Sequence, residues 1–232
     1  MKKIKEQLED ILKKNKESLS ILKILAIGLI AIKILDLVLS PNHIFEGRIA
    51  SFGWIDILLS IILGGVGIIL WKKIGYPEED VKKTEKTDYI FMPLLVGLSF
   101  GIMFVIFDNF AKMGDMNVGF PTSILFYTFG AVTTELITHV FPIAFIVYFA
   151  RKIKLIENYP KEIFLVAAIA LSDPSIPINI DSQLHAGILM LMIFTTELFS
   201  ISLFKKYGIV SPIVFRLGFY LIWHIIWPNI IY

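Results

Sequence analysis

Residues 51–73 read SFGWIDILLSIILGGVGIILWKK. From Trp54 to Trp71 the only charged side chain is Asp56, and Lys72 and Lys73 follow at once. The hydrocarbon core of a bilayer is about 30 Å thick and takes roughly 20 apolar residues per helix. This stretch is therefore long enough to cross, and its basic tail marks the end held in the cytoplasm. The rest of the chain has the same character. Of 232 residues, 56% are hydrophobic and 18% are charged, more apolar surface than a soluble domain of this size can hide. The net charge of +2 leaves no electrostatic footprint for nucleic acid. With no cysteine in the chain, disulfides, thiolate metal sites and a cysteine nucleophile are excluded.

Working outward, seven stretches are long and apolar enough to span: residues 21–39, 51–71, 89–107, 124–150, 163–180, 184–204 and 212–232. Lys and Arg test that count. Lys2, Lys3, Lys5, Lys13, Lys14 and Lys16 precede the first stretch, and Lys72, Lys73, Lys82, Lys83 and Lys86 follow the second. Arg151, Lys152, Lys154 and Lys161 follow the fourth, and Lys205 and Lys206 the sixth. The alternate loops hold only Arg48 and Lys112. Basic residues mark the cytoplasmic loops. The expectation is an all-α, polytopic membrane helix bundle of about seven transmembrane helices in the cell membrane, with its N-terminus cytoplasmic. In linear order it has a leader (1–20), three N-terminal helices (21–119) and a core of four (120–232).

In the leader, Ile4, Leu8, Ile11 and Leu12 recur at helical spacing, as in an amphipathic helix lying on the inner leaflet or a solvated cytoplasmic helix. Lys33 and Asp36, near the outer end of the first span, are three residues apart and can pair. Gly64, Gly65 and Gly67 are expected to allow close helix contact. Trp54, Trp71 and Trp227 read as interfacial anchors, and Trp223, beside His224, as packing or site-lining. The fifth span is interrupted by Ser172-Asp173-Pro174-Ser175-Ile176-Pro177. Proline lacks an N–H and restricts the residue before it, so the helix should break near Asp173. Irregular backbone at membrane depth is tolerated inside protein or beside water, so a hydrated cavity is expected there.

Ionisable groups inside spans are costly and mark sites. Here they are Glu135, His139, Asp173, Glu197, Arg216 and His224, with His185 at the outer end of its span. At about 1.5 Å per residue without tilt, Glu135 and Glu197 lie ~12 Å from the cytoplasmic face, His139 ~6 Å, Arg216 ~9 Å and Tyr220 ~15 Å. His224, at ~21 Å, and His185 fall outside that layer. Glu135 and His139 are four apart and share a helix face, as do Arg216, Tyr220 and His224. A buried Arg216 needs a carboxylate partner, Glu135 or Glu197. A carboxylate beside a histidine can activate water. No H-E-x-x-H spacing occurs, and neither a metal nor a cofactor is expected.

Residues 120–232 resemble the CAAX-processing and bacteriocin-processing (CPBP) family of intramembrane proteases, which includes the type II CAAX prenyl endopeptidases. The resemblance lies in the order and spacing of polar positions and in the turn Lys205-Lys206-Tyr207-Gly208-Ile209-Val210-Ser211-Pro212. That family carries Glu-Glu-x-x-x-Arg, then a histidine, then His-x-x-x-Asn. Here Thr134 stands at the first glutamate, which the family uses to activate water, Glu135 at the second and His139 at the arginine. Asp173 falls near the first family histidine, or His185 fills that place after an insertion. Arg216 and Tyr220 stand near His-x-x-x-Asn, or His224 is the last histidine with Pro228 where asparagine belongs.

The resemblance implies peptide-bond hydrolysis at a cytoplasm-facing intramembrane site. Glu135 would be general base, aided by His139 or His224, with Arg216 and Tyr220 steadying the oxyanion and Thr134, Asp173, His185 and Glu197 lining the cavity. The implied substrate is a lipidated or membrane peptide, and the implied partner is the bilayer. Two other readings stand beside it. One keeps the bundle without catalysis, binding a lipid, a lipidated peptide or a partner helix. The other is a transporter or ion pathway through Glu135, Glu197 and Arg216.

Overall fold

In the computed structural model the described residues are 16–39, 53–75, 85, 87–111, 118–153 and 183–231, and every regular element among them is helical. In chain order these are α1 (Lys16–Leu39), α2 (Trp54–Lys73), a π-turn (Thr87–Phe91) leading into α3 (Met92–Ala111), and α4 (Thr122–Thr134). A second π-turn (Glu135–Val140) joins α4 to α5 (Phe141–Lys152). Then come α6 (Gln183–Tyr207), α7 (Val210–Tyr220), a third π-turn (Leu221–Ile226) and α8 (Pro228–Ile231).

Five helices are long and apolar enough to cross a membrane: Trp54–Lys73, Thr87–Ala111, Thr122–Lys152, Gln183–Tyr207 and Val210–Ile230. They coincide with five of the seven expected spans. Residues 21–39 lie in α1, which is not one of the five. Residues 163–180, and with them Asp173 and the expected break, lie outside the described residues, as do residues 1–15 of the leader. Large apolar side chains such as Ile55, Leu95, Ile146, Leu191 and Ile230 face outward, as they do on helices solvated by lipid.

Prolines explain the widened turns. Each π-turn among the described residues ends two residues before a proline: Phe91 before Pro93, Val140 before Pro142, Ile226 before Pro228. A proline inside a helix has no N–H to donate and its ring clashes with the carbonyl four residues back. An extra residue in the preceding turn relieves that clash and keeps the helix continuous. The wider pattern is visible in Phe141 N–H donating to the Leu136 carbonyl and Trp227 N–H to Ile222. The carbonyl four residues before Pro93 belongs to Tyr89, and it accepts the Ser211 hydroxyl at 2.7 Å.

The chain forms two compact units interleaved in sequence, Met1–Tyr76 with Val132–Glu157, and Pro77–Ala131 with Asn158–Tyr232. In the first, α1 lies on α2 with Leu22 against Gly65. Lys33 Nζ reaches Asp36 Oδ2 at 2.9 Å, and both side chains are buried. Helix α2 also lies against the second π-turn and α5. A Cβ at Gly64 would strike Leu136, and one at Gly67 would strike the Phe141 backbone. Near the C-terminal end of α2, Arg151 donates to the Ile74 carbonyl at 2.8 Å. These partners ascend together, so α2 and α5 run parallel, with Lys72–Lys73 and Arg151–Lys152 at one end. Trp71 corrects the expectation of an interfacial anchor. It is 1% exposed and donates its indole N–H to the Val140 carbonyl at 2.8 Å.

In the second unit, glycines bring α3 and α7 into backbone contact. A Cβ at Gly97 would overlap the Phe215 carbonyl, and one at Gly218 would lie 2.7 Å from the Leu94 carbonyl. Gly101 meets Ile222 and the Phe219 carbonyl further along, so α3 and α7 are parallel. Lipid gives helices no hydrophobic reason to associate, so close van der Waals contact between small residues must supply it. Helix α6 runs against α3, with Phe199 at Phe100 and His185 at Phe107. Gly208, at φ +80°, ends α6 by turning its N–H onto the Phe204 carbonyl at 2.9 Å, a left-handed step suited to glycine.

Candidate functional site

Glu135 opens the second π-turn and His139 lies within it. His139 Nδ1 is 3.0 Å from Glu135 Oε2. The exposures are 0% for Glu135 and 4% for His139, so the contact is shielded from bulk solvent. With the carboxylate ionised, Nδ1–H donates, and the carboxylate fixes ring orientation while Nε2 remains the distal nitrogen. The turn is anchored on both sides. Leu136, wholly buried, fills the space left by Gly64, and Val140 accepts the Trp71 indole N–H. Thr134 is half-buried, and its carbonyl accepts the Thr138 hydroxyl at 2.6 Å.

Within the other unit, Arg216 Nη2 lies 3.1 Å from Glu197 Oε2 and 3.4 Å from Oε1. Glu197 is one of the two carboxylates expected as its partner. The Arg216 guanidinium also lies 6.0 Å from the Tyr220 ring centroid, within reach of a cation–π attraction. The stripe continues along α7. The Tyr220 and His224 rings are 5.1 Å apart. His224 is stacked on Tyr127 at 4.3 Å and 10°, with Trp223 at 4.1 Å on another side. Trp223 packs on Phe104 and Phe219 as well. Trp227 donates its indole N–H to Asp108 at 2.9 Å.

Each pair expected to share a helix face is therefore in contact: Glu135 with His139, Arg216 with Tyr220, Tyr220 with His224. His185 meets Phe107 edge-on near the start of α6. Asp173 lies outside the described residues. Among the described residues no group of three His, Asp or Glu side chains could hold a metal ion. Pro142, Gly97 and Gly101 went unread as signals. A proline inside an apolar span announces a distorted turn, and Gly97-Leu98-Ser99-Phe100-Gly101 has the small-xxx-small spacing of a helix interface.

Helices of this length and apolarity, with the buried ion pairs Lys33–Asp36 and Arg216–Glu197, are those of a multi-pass membrane protein. No known protein family, curated protein or solved structure matches the chain.

Proposed function

We propose that this is an integral protein of the cell membrane with a CPBP-like core, in which Glu135 and His139 exchange a proton during hydrolysis of a peptide bond in a lipidated or membrane-embedded peptide. The observation that carries the reading is the buried 3.0 Å contact between the Glu135 carboxylate and the His139 imidazole. A carboxylate that orients an imidazole is a general-base arrangement. In the proposed step the pair takes a proton from water, the oxygen attacks the scissile carbonyl carbon, and the proton passes to the leaving amine as the C–N bond breaks.

The topology belongs to the same proposal: seven crossings with the N-terminus in the cytoplasm. Helix directions support it. The Gly130-to-Tyr220 and Tyr127-to-His224 contacts descend α7 as α4 ascends, so α4 opposes α7. Helix α6 opposes α3, and α3 parallels α7, so α4 and α6 run the same way. A crossing by residues 163–180 between them would produce that arrangement. The shared basic end of α2 and α5 fits a cytoplasmic position.

A second reading keeps the bundle and drops the hydrolysis, leaving a binder of lipid or lipidated peptide. What favours it is Thr134, standing where the resembled family has its water-activating glutamate, with a side chain that cannot take up a proton from water at neutral pH.

The test is cleavage of prenylated and membrane peptides by the purified protein, wild type against Glu135→Gln. Loss of a general base should lower the rate by about 10²–10⁴-fold. Background-level cleavage by both proteins would remove the enzyme, and lipid co-purifying with both would then favour the binder.

A further inference from the structure

We propose that Trp71 is a positioning residue for the Glu135–His139 pair. The inference rests on the reading of that pair as the proton-exchanging centre, and it concerns what holds the pair in register.

Glu135 and His139 are four residues apart, yet they meet across a π-turn, where successive side chains are spaced differently from those of an α-helix. The winding of the turn therefore sets the direction in which the pair faces and how its two members are aimed at each other. Pro142 is one reason the turn stays wide, since its ring disfavours the narrower winding around the Thr138 carbonyl. Proline acts from the C-terminal side of the turn, through the backbone of its own helix.

Trp71 ties the turn to a neighbouring helix. Its indole N–H donates at 2.8 Å to the carbonyl of Val140, the last residue of the π-turn. Trp71 and Val140 are each 1% exposed. A carbonyl held this way cannot swing with the turn unless a hydrogen bond between two buried groups breaks. Gly64 and Gly67 on the same helix fit Leu136, which lies between Glu135 and His139 in sequence, and Phe141, two residues beyond His139. Helix α2 thus clamps the turn at three levels, and of the three only Trp71 uses a directional bond. An apolar contact tolerates a rotation of the turn that a hydrogen bond does not. The side chain that would otherwise read as a membrane-interface anchor instead sets the register of the two ionisable groups.

The test is NMR of histidine-labelled, tryptophan-labelled protein in micelles, with His139 assigned from a His139→Gln variant among the four histidines. In wild type, the His139 ring nitrogens should carry the signature of an imidazole bonded to a carboxylate, and Glu135→Gln should abolish it. Trp71→Phe, which keeps a ring and removes the donor, should move His139 in the same sense while leaving His185 and His224 where they are. If Glu135→Gln shifts His139 and Trp71→Phe does not, Trp71 has no positioning role. If Glu135→Gln leaves His139 unmoved, the pair itself is absent and the underlying reading fails first. Should Trp71→Phe not fold, the wild type still decides. The Trp71 indole proton should resonate well downfield of that of Trp54, whose side chain is exposed, and coincidence of the two signals would overturn the proposal.

Discussion

Arg216 and Glu197 meet at 3.1 Å across the α6–α7 hairpin, with both residues less than a tenth exposed. A guanidinium at that depth is tolerable because its partner is fixed opposite it, one helix away. Removing one member of a buried pair leaves the other charge uncompensated, at a cost of about 3–5 kcal/mol. Glu197→Gln and Arg216→Gln should each lose about that much in reversible unfolding from detergent micelles. The joint replacement Glu197→Leu with Arg216→Met should lose far less than either. A double variant as unstable as the singles would show that burial of the ion pair is not what makes these positions sensitive.

The glycines of α3 and α7 divide from those of α1 by what surrounds them. A Cβ at Gly97 would overlap the Phe215 carbonyl, whereas one at Gly28 has nothing within 4 Å. Gly97→Ala is expected to destabilise by about 1–3 kcal/mol or more through overpacking against backbone that cannot yield. Gly28→Ala should be neutral or gain up to about 1 kcal/mol from helix propensity. Thermal stability of the two purified variants measures the contrast, and equal effects would contradict the close approach of α3 and α7.

Ser211 and Pro93 are expected to be energetically coupled. The Ser211 hydroxyl serves the Tyr89 carbonyl, which the missing N–H of Pro93 leaves without its usual α-helical donor. Ser211→Ala should cost about 1 kcal/mol. In a Pro93→Ala background the backbone supplies a donor again, and the same substitution should cost little. A double-mutant cycle reads the difference directly, and strictly additive losses would refute the coupling.

Because the chain has no cysteine, single introduced thiols report sidedness without background. Lys73→Cys, Lys152→Cys and Lys206→Cys, at exposed positions, should react with a membrane-impermeant reagent only from the cytoplasmic side. Phe120→Cys and Gln183→Cys, also exposed, should react only from the other. Labelling of positions 152 and 183 from one side would eliminate a return crossing between them and with it the count of seven.

Much of this arrangement was legible in the residues. Five of the long apolar stretches are helices at the positions where the apolar runs and their Lys/Arg flanks set them. Lys33 with Asp36, Glu135 with His139, and Arg216 with Tyr220 were legible as well, because partners three or four apart on one helix are neighbours by geometry alone. Trp71 was misread because an indole near a run of lysines looks the same in sequence whether it faces headgroups or a neighbouring carbonyl.

Sequence alone thus determined which segments are apolar enough to leave water and which side chains are too polar to be there without a reason. Both are properties of a residue and its near neighbours along one helix. The fold decided the rest: that Glu197 answers Arg216, that Gly97 and Gly218 bring α3 and α7 together, and that Trp71 grips the turn bearing Glu135. Those relations join residues from 19 positions apart, Glu197 and Arg216, to 124, Leu94 and Gly218. Between lipid-solvated helices, partner choice follows from shape and hydrogen-bond direction, and these exist only once the helices are side by side.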